Sequence, residues 1–204
     1  PERNSYLVLT LDFSGVATDR GSEALLRTFT EAVRGGVEAL VMAHRARVPE
    51  LARLDERLHS LVDPEALLTA LIGVVRGAGQ RLYVLVDEYD HFANRLLAGG
   101  AEGEYEALVR TGFVRTFFAT LKSGTGSGAV ARMFVTGVSP LMLDDLSSGF
   151  NIAAHASMDV GLSALAGFTR ADTERAVDEF LAARPALAEL PGLAGREALL
   201  DVLE

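Results

Sequence analysis

Leu82-Tyr83-Val84-Leu85-Val86-Asp87-Glu88-Tyr89-Asp90 (LYVLVDEYD) is the stretch on which the reading of this chain turns. Its five apolar residues, rich in Val, Leu and Tyr, have the composition of a buried strand in a parallel sheet. Carboxylates follow at once, where that strand should emerge. An open α/β sheet binds its ligand at the carboxyl ends of its strands, so Asp87 and Glu88 are expected at the rim of a site.

An apolar strand ending in two acids is the pattern of a Walker B segment in a nucleotide hydrolase. There the first acid holds magnesium through water, and the second polarises the water that attacks the γ-phosphate. By that pattern Asp87 is the metal residue and Glu88 the catalytic one. The chain contains no Gly-x-x-x-x-Gly-Lys-Ser/Thr, the loop that would cradle the phosphates.

Composition narrows the alternatives. At 204 residues the chain is expected to be one domain, or one domain with a small appendage, and its 49% of hydrophobic residues are enough for a substantial core. No apolar run approaches the ~20 residues that cross a bilayer. Pro1 opens on polar residues with no signal-peptide pattern, and the lack of a start methionine suggests a fragment or a processed product. The absence of cysteine removes disulfide and thiolate chemistry and fits a cytoplasmic setting. A net charge of −9 disfavours direct nucleic-acid binding. Apart from Lys122 the basic residues are all Arg, so any role that needs a lysine falls to Lys122 alone. His44, His59, His91 and His155 show no metal-ligand spacing.

Working outward, Tyr6–Phe13 reads as a first strand with Asp12 near its end, followed by the turn signal Ser14-Gly15. Ser22 is the expected N-cap of a helix towards Arg47, weakened in its middle by Gly35 and Gly36. Asp63-Pro64-Glu65 is a helix start, with a cap and then proline at the first helical position. A helix is expected from Glu104 to Leu121, then a flexible connector at Ser123–Gly128 (SGTGSG), then a strand over Ala129–Val138. A short strand is expected at Met158–Val160. Thr169 caps a helix over Arg170–Ala183, with Asp172 in a capping-box place, and Pro185 and Pro191 punctuate a helical tail. The order of strands and helices is that of a parallel sheet with crossover helices.

Thr136, in the strand after the acidic one, occupies the place of a sensor residue that contacts the attacking water or the γ-phosphate. As a β-branched residue it also simply suits a strand. Asp90 can support Asp87 or cap the next helix, and the cap is the expected role. His91 is read as a solvated helix-start residue, and Asp144 and Asp145 as a loop face. Lys122–Gly128 has the wrong order for a phosphate loop, because its lysine precedes the glycines and the segment leads into a strand. Arg110, Arg115 and Arg132 are candidates for a γ-phosphate contact. A separate reading joins Asp87, Glu88 and Asp90 as a metal cluster for phosphoryl hydrolysis.

Five landmarks, LTLDFSGV (Leu9–Val16), LVDEYD (Leu85–Asp90), FVTGVS (Phe134–Ser139), SSGFNI (Ser147–Ile152) and LAGFTRADTERAV (Leu165–Val177), resemble in order those of the AAA-ATPase-like family of prokaryotic P-loop proteins. Members are often joined to a PD-(D/E)XK nuclease-like domain. The resemblance implies a P-loop NTPase-like α/β core over 1–160, lacking the phosphate-loop strand, and a C-terminal helical segment over 161–204. It implies ATP and Mg2+ as ligands, with Asp87 on the metal, Glu88 activating water and Thr136 as sensor. The family's phosphate-binding loop lies upstream of the LDFSG strand. The chain is therefore expected to be part of an ATPase that drives a nuclease-like domain or a partner protein, with little activity by itself. The alternative is a degenerate, non-hydrolysing interaction module.

Overall fold

Three parallel strands, β1 (Leu7–Asp12), β2 (Leu82–Asp87) and β3 (Val130–Val135), form a sheet in the order β1-β2-β3. The structure is a computed structural model that describes residues 5–139, 142, 152, 154, 156–157, 159–162, 169–184 and 200. Leu7 to Asp12 lie opposite Leu82 to Asp87 in unbroken register, and Leu85 and Val86 lie opposite Phe134 and Val135. Parallel pairing requires a long crossover between strands. The first runs through α1 (Gly21–His44), α2 (Glu50–Asp55), a 3-10 turn (Leu58–Ser60) and α3 (Pro64–Gly77). The second runs through α4 (His91–Ala98), α5 (Glu102–Glu106), a π-helical turn (Ala107–Thr111) and α6 (Phe113–Gly126). The expected α/β class, with a parallel sheet and crossover helices, is present.

Local chemistry explains the helix starts that the sequence marks well. Asp63 Oδ1 accepts the Ala66 N–H at 2.7 Å and Pro64 takes the first turn. Ser22 does not cap α1. The helix begins two residues earlier than such a cap would place it, at Gly21, after Arg20. Gly35 and Gly36 leave α1 unbroken, because Phe29, Val33, Val37 and Leu40 are buried on either side of them and packing outweighs propensity.

The single helix expected over Glu104–Leu121 is divided by the π-helical turn, and α6 then continues to Gly126. Most of the supposed SGTGSG connector is thus helical. Gly124 is the reason: a Cβ there would lie 2.7 Å from Val130 Cγ2 and 3.0 Å from Ile72 Cδ1. The glycine lets α6 close against β3 and α3.

These helices cover one face of the sheet. α1 packs on β1 and on α3, α3 packs on α6, and α6 packs on β3. Leu7, Leu9, Leu11, Leu82, Val84 and Val86 point into this layer and are buried. Phe13 stacks at 4.4 Å on Phe29 of α1, and Phe117 meets both edge-on.

The opposite face departs from the fully buried strand that the LYVLV run predicts. Tyr83 and Leu85 are half-buried, Val8 is 41% exposed and Phe134 is 52% exposed. Among the described residues β3 pairs with β2 alone, so its outer edge carries an exposed aromatic residue.

Contacts divide the chain into two units, Pro1–Ile152 and Ala153–Glu204. In the second, the strand expected at Met158–Val160 is not formed: Val160–Leu162 is a 3-10 turn, and Met158 lies outside the described residues. Helix α7 (Arg170–Ala183) carries the expected capping box. Thr169 Oγ1 accepts the Asp172 N–H at 3.2 Å, and the Asp172 carboxylate accepts the Thr169 N–H at 3.1 Å. Asp144, Asp145, Pro185, Pro191 and most of the SSGFNI stretch lie outside the described residues. Among the described residues no helix is long and apolar enough to cross a membrane.

Candidate functional site

Side chains alternate across a strand, so the bare face of the sheet reads Val8, Thr10, Asp12 on β1 and Tyr83, Leu85, Asp87 on β2. Asp12 and Asp87 are register partners at the carboxyl ends of their strands, and both are exposed. Thr136 follows β3 directly. Its N–H donates to the Val86 carbonyl at 2.8 Å, which extends the ladder by one residue. Its hydroxyl donates to Asp87 Oδ1 in a short hydrogen bond. Asp12, Asp87 and Thr136 thus form the last row of the sheet, on the uncovered face. The structure brings the two strand-end candidates, Asp87 and Thr136, together.

Glu88 begins the turn after β2 with φ of +53°, in the left-handed region that a non-glycine residue enters at a cost of about 1–2 kcal/mol. Hydrogen bonds hold it there. Its own N–H donates to Asp87 Oδ1 at 3.0 Å, the Tyr89 N–H donates to the Thr136 carbonyl at 3.2 Å, and the His91 N–H donates to the Glu88 carbonyl at 3.1 Å. Strain of this kind, fixed by its surroundings, gathers at functional positions.

The Glu88 carboxylate is half-buried, with Oε2 3.7 Å from His91 Nδ1. His91 is not the solvated residue expected: it is half-buried, and its Nε2 is enclosed without a partner among the described residues. The Ser14 N–H, 2.8 Å from Asp12 Oδ1, holds the Asp12 carboxyl below its usual range, and His91 adds a smaller pull in the same direction.

Asp90 overturns its expected role. It stands at the cap position of α4 but makes no side-chain cap. Its carboxylate is fully buried and accepts the backbone N–H groups of Val138, at 3.1 Å, and Ser139, at 2.6 Å, with Asn94 Nδ2 at 2.7 Å from the other side. The Tyr89 hydroxyl donates to the Ser139 carbonyl. Gly137 lies close against this knot, where a Cβ would come 2.3 Å from Asp90 Oδ1 and 2.4 Å from Tyr89 Cε1.

The sequence reading gives no functional role to Asp12 or Gly137, and it gives Asp90 the role of a cap. The strand-end signal that picked out Asp87 was available for Asp12. The position of Asp90 before α4 suggests a cap, and nothing local points to Val138 and Ser139 as its partners.

Other candidates fall away from the row. Arg132 lies opposite Tyr83, four residues before Thr136, roughly 13 Å along the strand. Arg115 is half-buried in α6, and the side chain of Arg110 lies outside the described residues. Lys122 lies towards the C-terminal end of α6, where the helix dipole repels an anion.

Among the described residues no three His, Cys, Asp or Glu side chains gather into a metal cage, which removes the Asp87–Glu88–Asp90 cluster. Mg2+ does not need such a cage. It binds through one or two carboxylates, water and substrate phosphates, so the exposed Asp87 carboxylate suits it.

A family model described as a predicted AAA-ATPase, of the AAA-ATPase-like type, matches residues 1–147. The match spans the three strands, both strand-end acids and the Thr136–Ser139 segment. Comparison with curated proteins and with solved structures gave no match.

Proposed function

We propose, for a chain that belongs to the AAA-ATPase-like family of predicted AAA-ATPases, that it forms part of an ATP-binding and ATP-hydrolysing core. The observation that carries this reading is the hydrogen bond from the Thr136 hydroxyl to Asp87, with Glu88 held in the next position by a strained turn. In this reading Asp87 holds Mg2+ through water, and Thr136 orients Asp87 and senses the γ-phosphate. Glu88 takes the proton of the attacking water as general base. Bound Mg2+ supplies charge neutralisation on the phosphates.

These 204 residues hold no Gly-x-x-x-x-Gly-Lys-Ser/Thr motif, so the reading requires a grip on the phosphates that none of the residues assigned above provides. Without it the exposed acids repel a triphosphate, and residues 1–204 alone are expected to show no turnover. Hydrolysis would serve a partner protein or a nuclease-like domain.

The test is Glu88→Gln in the full-length protein. Loss of a general base lowers kcat by about 10²–10⁴-fold while ATP binding persists. Turnover equal to wild type would sink the assignment. A second reading, a non-hydrolysing interaction module, draws on the exposed Phe134 and Val8 of the bare face. It takes over if the full-length wild type neither binds nor hydrolyses ATP.

A further inference from the structure

We infer that Asp90 is a positioning residue for Thr136, acting through the backbone of Val138 and Ser139; this rests on the reading of Asp87, Glu88 and Thr136 as the hydrolytic site. Asp90 and Thr30 are the buried polar or charged residues of the described chain, and Thr30 does no more than donate to the Leu26 carbonyl of its own helix. A fully buried carboxylate is costly to keep unless donors surround it. A cap for α4 would not require one, because Ser, Thr or Asn caps equally well with less to desolvate, and Asp90 does not cap.

Its acceptor capacity is used across the sheet instead. The ladder between β2 and β3 ends where the Thr136 N–H meets the Val86 carbonyl. Beyond that point no strand pairing holds residues 137–139. Asp90 replaces the missing ladder by taking two successive backbone amides, and Asn94 fixes the carboxylate from α4. Tyr89 adds two further ties, its N–H to the Thr136 carbonyl and its hydroxyl to the Ser139 carbonyl.

The result is a closed loop of contacts. It runs from Asp87 through Glu88 and Tyr89 to Asp90, across to Ser139, and back through Gly137 to the Thr136 hydroxyl on Asp87. The side of Asp90 that faces Gly137 leaves no room for a Cβ, so the loop has little slack. Asp90 touches none of the groups assigned to ATP. Its effect is on where the Thr136 hydroxyl sits.

The experiment uses the full-length protein with Asp90→Ala, Asp90→Asn, Thr136→Val and the Asp90→Ala/Thr136→Val double variant. Misplacing a site group by about 1 Å can cost roughly 10²-fold. Asp90→Ala is therefore expected to lower kcat by about that factor, with the KM for ATP within about threefold. Asp90→Asn keeps one oxygen for Ser139 and Asn94 and is expected to recover most of the loss.

Because Asp90 acts through Thr136, the double variant should be no slower than Thr136→Val alone. Multiplied losses, or an unchanged kcat in folded Asp90→Ala, would overturn the inference. Amide hydrogen exchange at Val138 and Ser139 gives a readout that needs no activity. It should quicken at least tenfold in Asp90→Ala, and detectably in Asp90→Asn should the alanine variant not fold. Should the wild type turn over no ATP, the hydrolytic reading fails, and exchange still decides whether Asp90 holds the backbone of Val138 and Ser139. Unchanged exchange overturns it whatever the activity.

Discussion

Leu9 and Val8 are neighbours in one strand, yet Leu9 is completely buried under α1 while Val8 is 41% exposed on the other side of the sheet. The same division runs through β2, where Val84 and Val86 are enclosed and Tyr83 and Leu85 are half open. Followed to the carboxyl ends, the open positions become Asp12, Asp87 and Thr136. The covered face therefore holds the fold, and the open face leads to the chemistry. One strand carries both because its side chains alternate with period two.

The comparison breaks most clearly through paired truncations. Leu9→Ala should lower the unfolding free energy by about 2–5 kcal/mol, the range for emptying a closed core position. Val8→Ala should cost no more than about 0.5 kcal/mol. Urea titration of both variants measures this, and equal losses would mean that the open face is packed in solution.

A smaller effect sharpens the picture at the strand ends. With φ at +53°, Glu88 is in a conformation that glycine adopts freely, so Glu88→Gly should be more stable than Glu88→Ala by about 1 kcal/mol. Thermal unfolding of the two variants decides it. An alanine variant at least as stable as the glycine one would show that the turn is unstrained.

The smallest effect belongs to Asp12. The Ser14 N–H holds its carboxyl below 3.8 in the folded chain. A depressed folded value adds stability that is present above the unfolded value and lost as pH falls through the folded one. Wild type should thus hold a slight advantage over Asp12→Asn above pH 3.8, vanishing on further acidification. Screening by solvent keeps it small. An advantage that grows in acid would contradict the hydrogen bond as its source.

Sequence alone located the three strands of the sheet and two of the helix starts, because these are written in neighbouring residues. Asp63-Pro64 and Thr169 with Asp172 each contain their own cap chemistry. The misses have distant causes. An apolar run such as LYVLV reads alike whether one face or both are covered, and only α1, α3 and α6 decide which. The extension of α6 through SGTGSG depends on Val130 and Ile72 meeting Gly124. Asp90 reads as a cap because its true partners, Val138 and Ser139, lie 48 and 49 positions further along. Asp87 was legible as the end of a strand, whereas its hydrogen bond to Thr136 required the sheet register.

The parallel register also sets a clock. Leu7 pairs with Leu82, and at about 5–20 residues per second a ribosome needs roughly 4–15 s to make the 75 positions that separate them. For that interval the Leu-Val-Leu-Thr-Leu of β1 has no partner strand, and its leucines are open to chaperones and proteases. The yield of this protein in a cell therefore depends on the pace of translation as well as on the final free energy. Rare codons between β1 and β2 should lower that yield without changing the folded product.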